Sequence, residues 1–346
     1  MNPPDNPHGV VVINGDVYDS WVNQQLFQQV TVELPTNQAG QAMIRFQDPN
    51  FVYIDRYSLA DGVPHCEVDV YLGFGQDLGP KLWSGLLTRV ERKDADTAFV
   101  AYDKSHKMKK KRNNDYHYKL TDLEIIRLMA TRNGLSFEGP DDPIPAIPHD
   151  SMIQDQRHDW TMAKERAREA GLILYVRGDT LFAKEPAKVK EPLITLIYRN
   201  DEQNVPRMFH HWDASYKLPE NHKGRHKVVN QFYRERGGKR GTGSSSLHHR
   251  GHLTDDNKHA ISEHTKSYAS RKATASKELN REHAYVISVR SAPTIPLVRP
   301  DVRDTIALEN IGKLFSGGYL VDKITHDLTG NGFVTEYSLY RDHNAG

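Results

Sequence analysis

Histidines are the residues of this chain best suited to bind a metal, and half of the 18 lie in residues 210–264. The candidates are two adjacent pairs and one further residue beside a stretch rich in glycine and serine: His210-His211, His248-His249 and His252. A zinc site needs three or four converging ligands. Adjacent residues of a strand point to opposite faces, so they rarely share a metal. The pattern favours solvated loop histidines, and we expect no metal and no cofactor.

Serine and cysteine nucleophiles also lack a recognisable setting. An α/β-hydrolase elbow requires G-x-S-x-G after a strand, and residues 241–245 (GTGSS) do not fit. No Walker A motif and no G-x-G-x-x-G stands between a strand and a helix. Cys66 is the single cysteine, which excludes an intramolecular disulfide and is typical of a reducing compartment. A carboxylate pair for glycoside hydrolysis is left open, but no spacing nominates one. We therefore predict no catalytic residue.

A basic run, Lys107 to Arg112 (KMKKKR), is the strongest local charge feature. Its composition favours a solvated loop. The alternative is a patch that faces an anionic partner, such as nucleic acid or an acidic subunit. No aromatic residue interleaves the run, which argues against base stacking.

The composition bounds the class of protein. The chain has 346 residues, which allows one to three domains, and 37% of them are hydrophobic. Its 46 basic and 45 acidic residues nearly cancel, which argues against a protein whose whole surface binds nucleic acid. Residues 1–9 (MNPPDNPHG) lack the basic and apolar regions of a signal peptide. No apolar run approaches the roughly 20 residues that cross a bilayer, so we expect no membrane span.

One stretch, residues 157–185, predicts a helix followed by a hairpin. Asp159 is the expected N-cap, because a carboxylate there can accept an orphan backbone N–H. The helix has one apolar stripe: Trp160, Ala163, Ala167 and Ala170. Gly171 supplies the left-handed residue that ends a helix, and residues 172–176 follow as a buried strand. Gly178-Asp179 fits a two-residue hairpin turn, which explains Arg177-Gly178-Asp179 better than cell adhesion does.

A second helix is predicted upstream of this stretch. Thr121 and Glu124 form a capping box at its start. Asn133-Gly134 ends it, and residues 135–137 continue as a strand. Helix, glycine and strand thus occur twice in residues 104–200, which predicts a small α/β domain.

Short strands flank this middle domain on both sides. Alternating apolar residues and turn signals predict a first antiparallel β-barrel over residues 1–103. The same pattern predicts a second barrel from residues 201–235 and 284–346. Residues 236–283 are an expected insertion between its halves, with a flexible linker from Gly237 to Ser246 and a polar helix from about Lys258 to Glu282. The predicted fold is mainly β with α+β character, two small barrels flanking an α/β domain.

Four stretches, in this order, resemble the hub proteins of contractile tails. These hubs are the late control protein D family of phages and the N-terminal half of type VI secretion spike proteins. The stretches are residues 82–91 (LWSGLLTRVE) with 97–103 (TAFVAYD), residues 120–135, residues 157–185, and residues 314–321 (LFSGGYLV) with His326 and residues 332–335 (GFVT). The resemblance covers residues 65–341.

The resemblance implies a homotrimeric baseplate hub with no enzymatic role. Three chains with two barrels each would join a three-fold spike to a six-fold tail tube around a lumen for DNA or cargo. The implied partners are a separate spike or needle protein, a tail tube or tube-initiator protein, baseplate wedge proteins and a tape measure protein. The implied location is a virion tail baseplate, or an injection particle, assembled in the bacterial cytoplasm. Because type VI spike proteins continue into a needle and this sequence ends at Gly346, the stand-alone phage hub is the expected type.

Two alternative functions stay open at this point. One is a hub that also hydrolyses peptidoglycan, for which the sequence nominates no residue. The other is a nucleic-acid-binding protein that uses the basic run of residues 107–112.

Overall fold

The structure is a computed structural model of the whole chain, and it describes most of it. The described residues are 7–23, 27–57, 66–75, 78–141, 144, 148–149, 151–198, 208–216, 225–229, 242–246, 285–291, 299–330 and 332–341. The helix expected at 258–282, together with His248, His249 and His252, lies outside them.

The chain begins with seven strands, and most follow the predicted positions. They are β1 (Pro7–Ile13), β2 (Asp16–Asp19), β3 (Phe27–Pro35), β4 (Gln41–Gln47), β5 (Glu67–Phe74), β6 (Trp83–Lys93) and β7 (Asp96–Tyr102). Helix α1 (Val52–Arg56) lies between β4 and β5. The short strand β2 and helix α1 were not expected from the sequence, because neither shows a full period of apolar residues. We call β1–β7 the first unit.

The middle region contains the two predicted helices and five strands, together with two short helical turns. Its elements are a 3-10 turn (Lys104–His106), α2 (Lys107–Lys110), β8 (Arg112–His117), α3 (Asp122–Arg132), β9 (Ser136–Glu138), β10 (Met152–His158), α4 (Asp159–Ala170), β11 (Ile173–Arg177) and β12 (Thr180–Lys184). Gly171 has φ 77° and closes α4, as predicted. The hairpin β11–β12 pairs Arg177 with Thr180 across Gly178-Asp179, also as predicted. β12 extends to β9 in parallel, and β8 pairs with β10.

The rest of the chain is again built from strands. They are β13 (Ile194–Tyr198), β14 (Met208–Tyr216), β15 (Arg225–Val229), β16 (Thr242–Ser246), β17 (Tyr285–Ser291), β18 (Thr305–Glu309), β19 (Gly317–Thr329) and β20 (Gly332–Arg341), with helix α5 (Gly312–Phe315) before β19. We call β13, β14 and β17–β20 the second unit. Within the expected linker over Gly237 to Ser246, residues 242–246 form strand β16. They pair with β15, since main-chain hydrogen bonds do not require apolar side chains.

Thirteen strands join both units into one sheet. Their order is β18-β13-β14-β17-β20-β19-β3-β4-β7-β6-β5-β1-β2. The mainly β fold is confirmed, but the prediction of two separate closed barrels is not. In the described residues β2 pairs only with β1, so the first unit has an open edge, and β19 joins the second unit to β3. Sequence periodicity identifies the buried face of a strand but not its partner, so this junction was not foreseen.

The buried apolar side chains form two clusters. One runs through both units and includes Phe46, Phe99, Tyr319 and Tyr337. The other lies within the middle region, where the predicted stripe of α4 packs against α3 and β11. The basic run is only partly a solvated loop: residues 107–110 form α2, because Met108 is buried in the second cluster. No helix in the described ranges combines the length and apolarity needed to cross a membrane.

The capping box of α3 is present and supports a stability prediction. Thr121 Oγ1 accepts from the Glu124 backbone N–H (3.2 Å), and Glu124 Oε2 accepts from the Thr121 backbone N–H (2.8 Å). Replacing Thr121 with alanine removes one cap, so we expect the free energy of unfolding to fall by about 1 kcal/mol. Urea denaturation measures the change. Thr131→Ala, on the exposed face of the same helix, is the control and should stay within about 0.5 kcal/mol; equal losses in both variants would contradict the role of the cap.

Candidate functional site

The two units repeat one strand arrangement. In the first unit the order is β3-β4-β7-β6-β5, and in the second it is β14-β17-β20-β19-β18. All four pairings in each series are antiparallel. In both series the first two strands stand in chain order and the remaining three stand in reverse chain order. The repeat ends there, since β5 pairs with β1 antiparallel whereas β18 pairs with β13 in parallel.

Each unit has two β-bulges, and the bulges lie at matching places, which fixes the correspondence residue by residue. The pairing of β3 with β4 shifts between Phe27 and Gln29, and that of β14 with β17 shifts between Phe209 and His211. β6 and β19 are bulged in the same way against β7 and β20, between residues 87 and 89 and between residues 321 and 323. Bulges redirect a strand, so both units bend their sheets at equivalent points.

One hydrogen bond is also repeated. In the first unit Arg92 Nη1 donates to Thr97 Oγ1 (3.2 Å), and in the second a hydrogen bond joins His326 Nδ1 to Thr335 Oγ1 (3.0 Å). Both threonines are buried. Burial, with a smaller contribution from the positive charge of Arg299, lowers the pKa of His326 to about 4. His326 is therefore a neutral structural residue at pH 7, placed where β19 meets β3.

The junction between the units is the pairing of β19 with β3. It runs from Lys323 opposite Pro35 to Thr329 opposite Gln29. Polar side chains strengthen it, because Asp327 Oδ1 accepts from Gln29 Nε2 (2.8 Å) and from Thr31 Oγ1 (2.9 Å). Main-chain pairing therefore joins the two units in one sheet.

The middle region is held against both units. The Asn37 backbone N–H donates to the Leu174 carbonyl (2.7 Å), and the Leu174 N–H donates to Asn37 Oδ1 (3.0 Å). The single Nε–H of Arg177 is shared between the two carboxylate oxygens of Asp301, each 3.0 Å from Nε. Lys104 forms an ion pair with Asp179. Arg177 and Asp179 are thus engaged within the chain, which is consistent with a structural hairpin.

Asp103, the last residue of the TAFVAYD stretch, is buried where the first unit passes into the middle region. Its carboxylate accepts from the Gly40 N–H (2.5 Å) and from the N–H of Ser105 (3.0 Å). Burial raises its pKa despite these donors. A cleft of about 360 Å³ lies beside it, bordered by Lys81, Trp83 and Asp301.

A buried polar cluster organises the middle region, and its centre is Asp159. The cap prediction for this residue is wrong: α4 begins at Asp159, and His158, with extended backbone, precedes it without a side-chain cap. The carboxylate instead accepts from four side chains, which belong to α3, the residue after α3, β8 and β10: Arg132, Asn133, Asn113 and Gln154. Burial acts to raise the pKa of Asp159, but these donors, led by Arg132, lower it overall.

The candidate chemical groups do not converge. Within the described residues no group of three or more histidine, cysteine, aspartate or glutamate side chains could hold a metal. His211 is exposed on β14. Cys66 is buried, and burial raises the pKa of its thiol, which opposes reactivity. In the basic run, the ammonium of Lys109 lies 5.5 Å from the centre of the Trp160 ring, and that ring is buried rather than available for base stacking.

Sequence reasoning predicted two β units but missed the residue-by-residue correspondence between them. Its trace in the sequence is faint: residues 85–90 read GLLTRV, and the corresponding residues 319–324 read YLVDKI. Both stretches have two apolar residues (86–87 and 320–321), then one residue at the bulge (88 and 322), then a basic residue (89 and 323) and a β-branched residue (90 and 324). A search for internal similarity at a separation of 234 residues could have found it.

Solved structures with the same fold are components of phage tails and injection systems. A tail protein from Neisseria meningitidis is 12% identical, with 97% of both chains covered and a TM-score of 0.68. A 43 kDa tail protein of prophage MuSo2 from Shewanella oneidensis is 9% identical, covering 97% of this chain and 98% of its own, with a TM-score of 0.65. A type VI secretion component from Escherichia coli is 9% identical over 97% of this chain and 77% of its own, with a TM-score of 0.59. The fold is therefore of the tail-protein and spike-protein type.

A family model matches most of the chain. Residues 8–330 match the model described as the Alg8 N-terminal domain, and the chain belongs to that family. No curated protein sequence matches the chain.

Proposed function

We propose that this protein is the structural baseplate hub of a contractile phage tail or a related injection particle. Three copies would form a ring that adapts a three-fold spike to a six-fold tail tube, with a central lumen for DNA or cargo. The observation that supports this most strongly is the repeat. Two units of one strand order, joined by β19 and β3, make each chain present similar surfaces twice.

The repeat provides the symmetry that such an adapter needs. A trimer of chains with two similar units has approximate six-fold symmetry where it meets the tube and three-fold symmetry where it meets the spike. The tail-protein fold over nearly the whole chain is consistent with this role. In the proposed hub, residues 1–103 form a first tube-like barrel, 104–200 the α/β domain, and 201–235 with 284–346 the second barrel, interrupted by residues 236–283.

The proposed surroundings follow from the same role. The hub is of the type formed by the late control protein D family, and it acts without enzymatic activity. Its partners are a separate spike or needle protein, a tail tube or tube-initiator protein, wedge proteins and a tape measure protein. Its place is the tail baseplate of a virion or particle assembled in the bacterial cytoplasm.

Light scattering on the purified chain tests the assembly state. The expected mass is three times the chain mass of 39.5 kDa, independent of concentration over the range measured. The trimer should persist in moderate salt, because its interfaces are expected to be paired strands rather than exposed ion pairs. A chain that stays monomeric or dimeric, with the spike protein present or absent, contradicts the hub.

A further inference from the structure

The repeat leaves one strand of each unit without the neighbour that its counterpart has. The C-terminal half of β19 pairs with β20 on one side and with β3 on the other. Its counterpart in the first unit is the C-terminal half of β6, residues 89–93. In the part of the chain that the structure describes, these residues pair only with β7.

The burial of the two strands differs accordingly. In β19, Ile324 and His326 are buried. The corresponding residues of β6, Val90 and Arg92, are half-buried, and the residues that alternate with them are exposed. Within the described part of the chain, residues 89–93 of β6 have one unpaired edge, whereas the equivalent part of β19 is paired on both edges. An unpaired strand edge is suited to pair with another strand.

β14 of the second unit also has an edge that is unpaired within the described residues, although its counterpart in the first unit is paired on both sides. Its counterpart β3 pairs with β4 on one side and with β19 on the other. Within the described ranges, residues 211–215 of β14 pair only with β17; β13 reaches no further than Phe209. Val30 and Val32 of β3 are buried, whereas the corresponding Trp212 and Ala214 are half-buried.

We propose that residues 89–93 of β6 in one copy pair antiparallel with residues 211–215 of β14 in the next copy, repeating between chains the junction that β19 and β3 form within the chain. The partner is a second copy of this chain, because each copy carries both edges and six strands separate β14 from β6 in the sheet. This inference rests on the proposed function, since it specifies how the ring is closed.

The internal junction also gives the register of this pairing. Asp327 lies opposite Thr31, His326 opposite Val32 and Thr325 opposite Glu33. Transferred through the matching bulges, these pairs place Lys93 opposite Asp213, Arg92 opposite Ala214, and Glu91 opposite Ser215.

The transferred register is chemically consistent. Lys93 and Asp213 have opposite charges, and both are exposed in the single chain. Opposite charges facing each other across strands stabilise the pairing, whereas like charges would oppose it. Arg92 is already held on its own unit, because its Nη1 donates to the Asp48 carbonyl (2.8 Å). The interface joins different surfaces of successive copies, and three such junctions close the ring.

Engineered cysteines test the register. Cys66 is first replaced by alanine, which removes the single native thiol. In this background, Lys93→Cys combined with Asp213→Cys should form disulfides on mild oxidation, since directly opposed residues lie within disulfide distance. On a non-reducing gel the band at 39.5 kDa should be replaced mainly by a band at three times that mass.

Two controls define the result. Lys93→Cys with Ser215→Cys shifts one partner by two residues, which is beyond disulfide reach in the proposed register, and should give little product. Co-expressed chains that each carry one of Lys93→Cys and Asp213→Cys should give linked dimers, because the bond joins different chains.

The outcomes separate this inference from the hub itself. A trimer in light scattering that fails to form the Lys93–Asp213 crosslink, or that crosslinks better through position 215, overturns the strand pairing and leaves the hub standing. A chain that stays monomeric by light scattering, with the spike protein present or absent, and gives no crosslink overturns both.

Discussion

Replacing Asp159 with alanine is expected to lower the free energy of unfolding by about 3 kcal/mol. The carboxylate accepts from Arg132 Nε (2.5 Å), Asn133 Nδ2 (2.7 Å) and Gln154 Nε2 (2.9 Å). Alanine leaves these donors without their acceptor, and the guanidinium of Arg132 loses its buried counter-charge. Asp115, the second ion-pair partner of Arg132, keeps the loss from being larger. Denaturant unfolding at a fixed protein concentration measures the effect.

The matched control is an ion pair of the same region that is open to solvent. Arg157 and Glu165 are paired with their side chains 49% and 40% exposed, so Arg157→Ala should cost less than about 1 kcal/mol. Asp159→Asn keeps the shape and should lie between the two. If Asp159→Ala and Arg157→Ala were equally harmless, Asp159 would not be the centre of the middle region.

Acid should destabilise the protein through His326, by about 3 kcal/mol between pH 7 and pH 4. The pKa of this buried histidine is lowered to about 4, against about 6.5 in an unfolded chain. Between these values the unfolded state binds the proton and the folded state does not, so stability falls as the pH is lowered. The physical cause is the cost of placing an imidazolium in the apolar core between β3 and β20, beside the charge of Arg299.

The variant His326→Gln tests the assignment, because glutamine can hydrogen-bond Thr335 and does not titrate. As the pH falls from 7 to 4, the protein with His326 should lose about 3 kcal/mol more of its free energy of unfolding than the His326→Gln variant loses. Unfolding is compared at equal chain concentration, since association also affects apparent stability. Parallel curves for the two proteins over this pH range would show that another group causes the acid sensitivity.

Local features of this fold were predictable from the sequence, because each depends on residues close in the chain. The capping box at Thr121, the left-handed Gly171 and the turn at Gly178-Asp179 are all present. Each uses side-chain or backbone chemistry within four residues. The alternation of most long strands was predictable for the same reason.

Features that depend on distant residues were not predictable in this way. The sequence predicts Asp159 as a cap because it precedes an apolar stripe. In the structure its carboxylate accepts a hydrogen bond from Arg132, which lies 27 residues earlier in the chain. The pairing of β19 with β3 joins residues almost 300 positions apart, and alternation at period two fits many partners equally well. The repeat is hidden because few side chains are identical, while bulges and pairings, which are properties of the backbone, are kept.

Electron microscopy of the purified assembly tests the central claim most directly. We expect averages viewed along the axis to show a closed ring of six similar lobes around an open centre, with three-fold symmetry at higher detail, because each of three chains contributes two units. Dimers, open filaments or particles with three lobes and no central opening would contradict the proposal that this chain is a hub built from a repeated β unit.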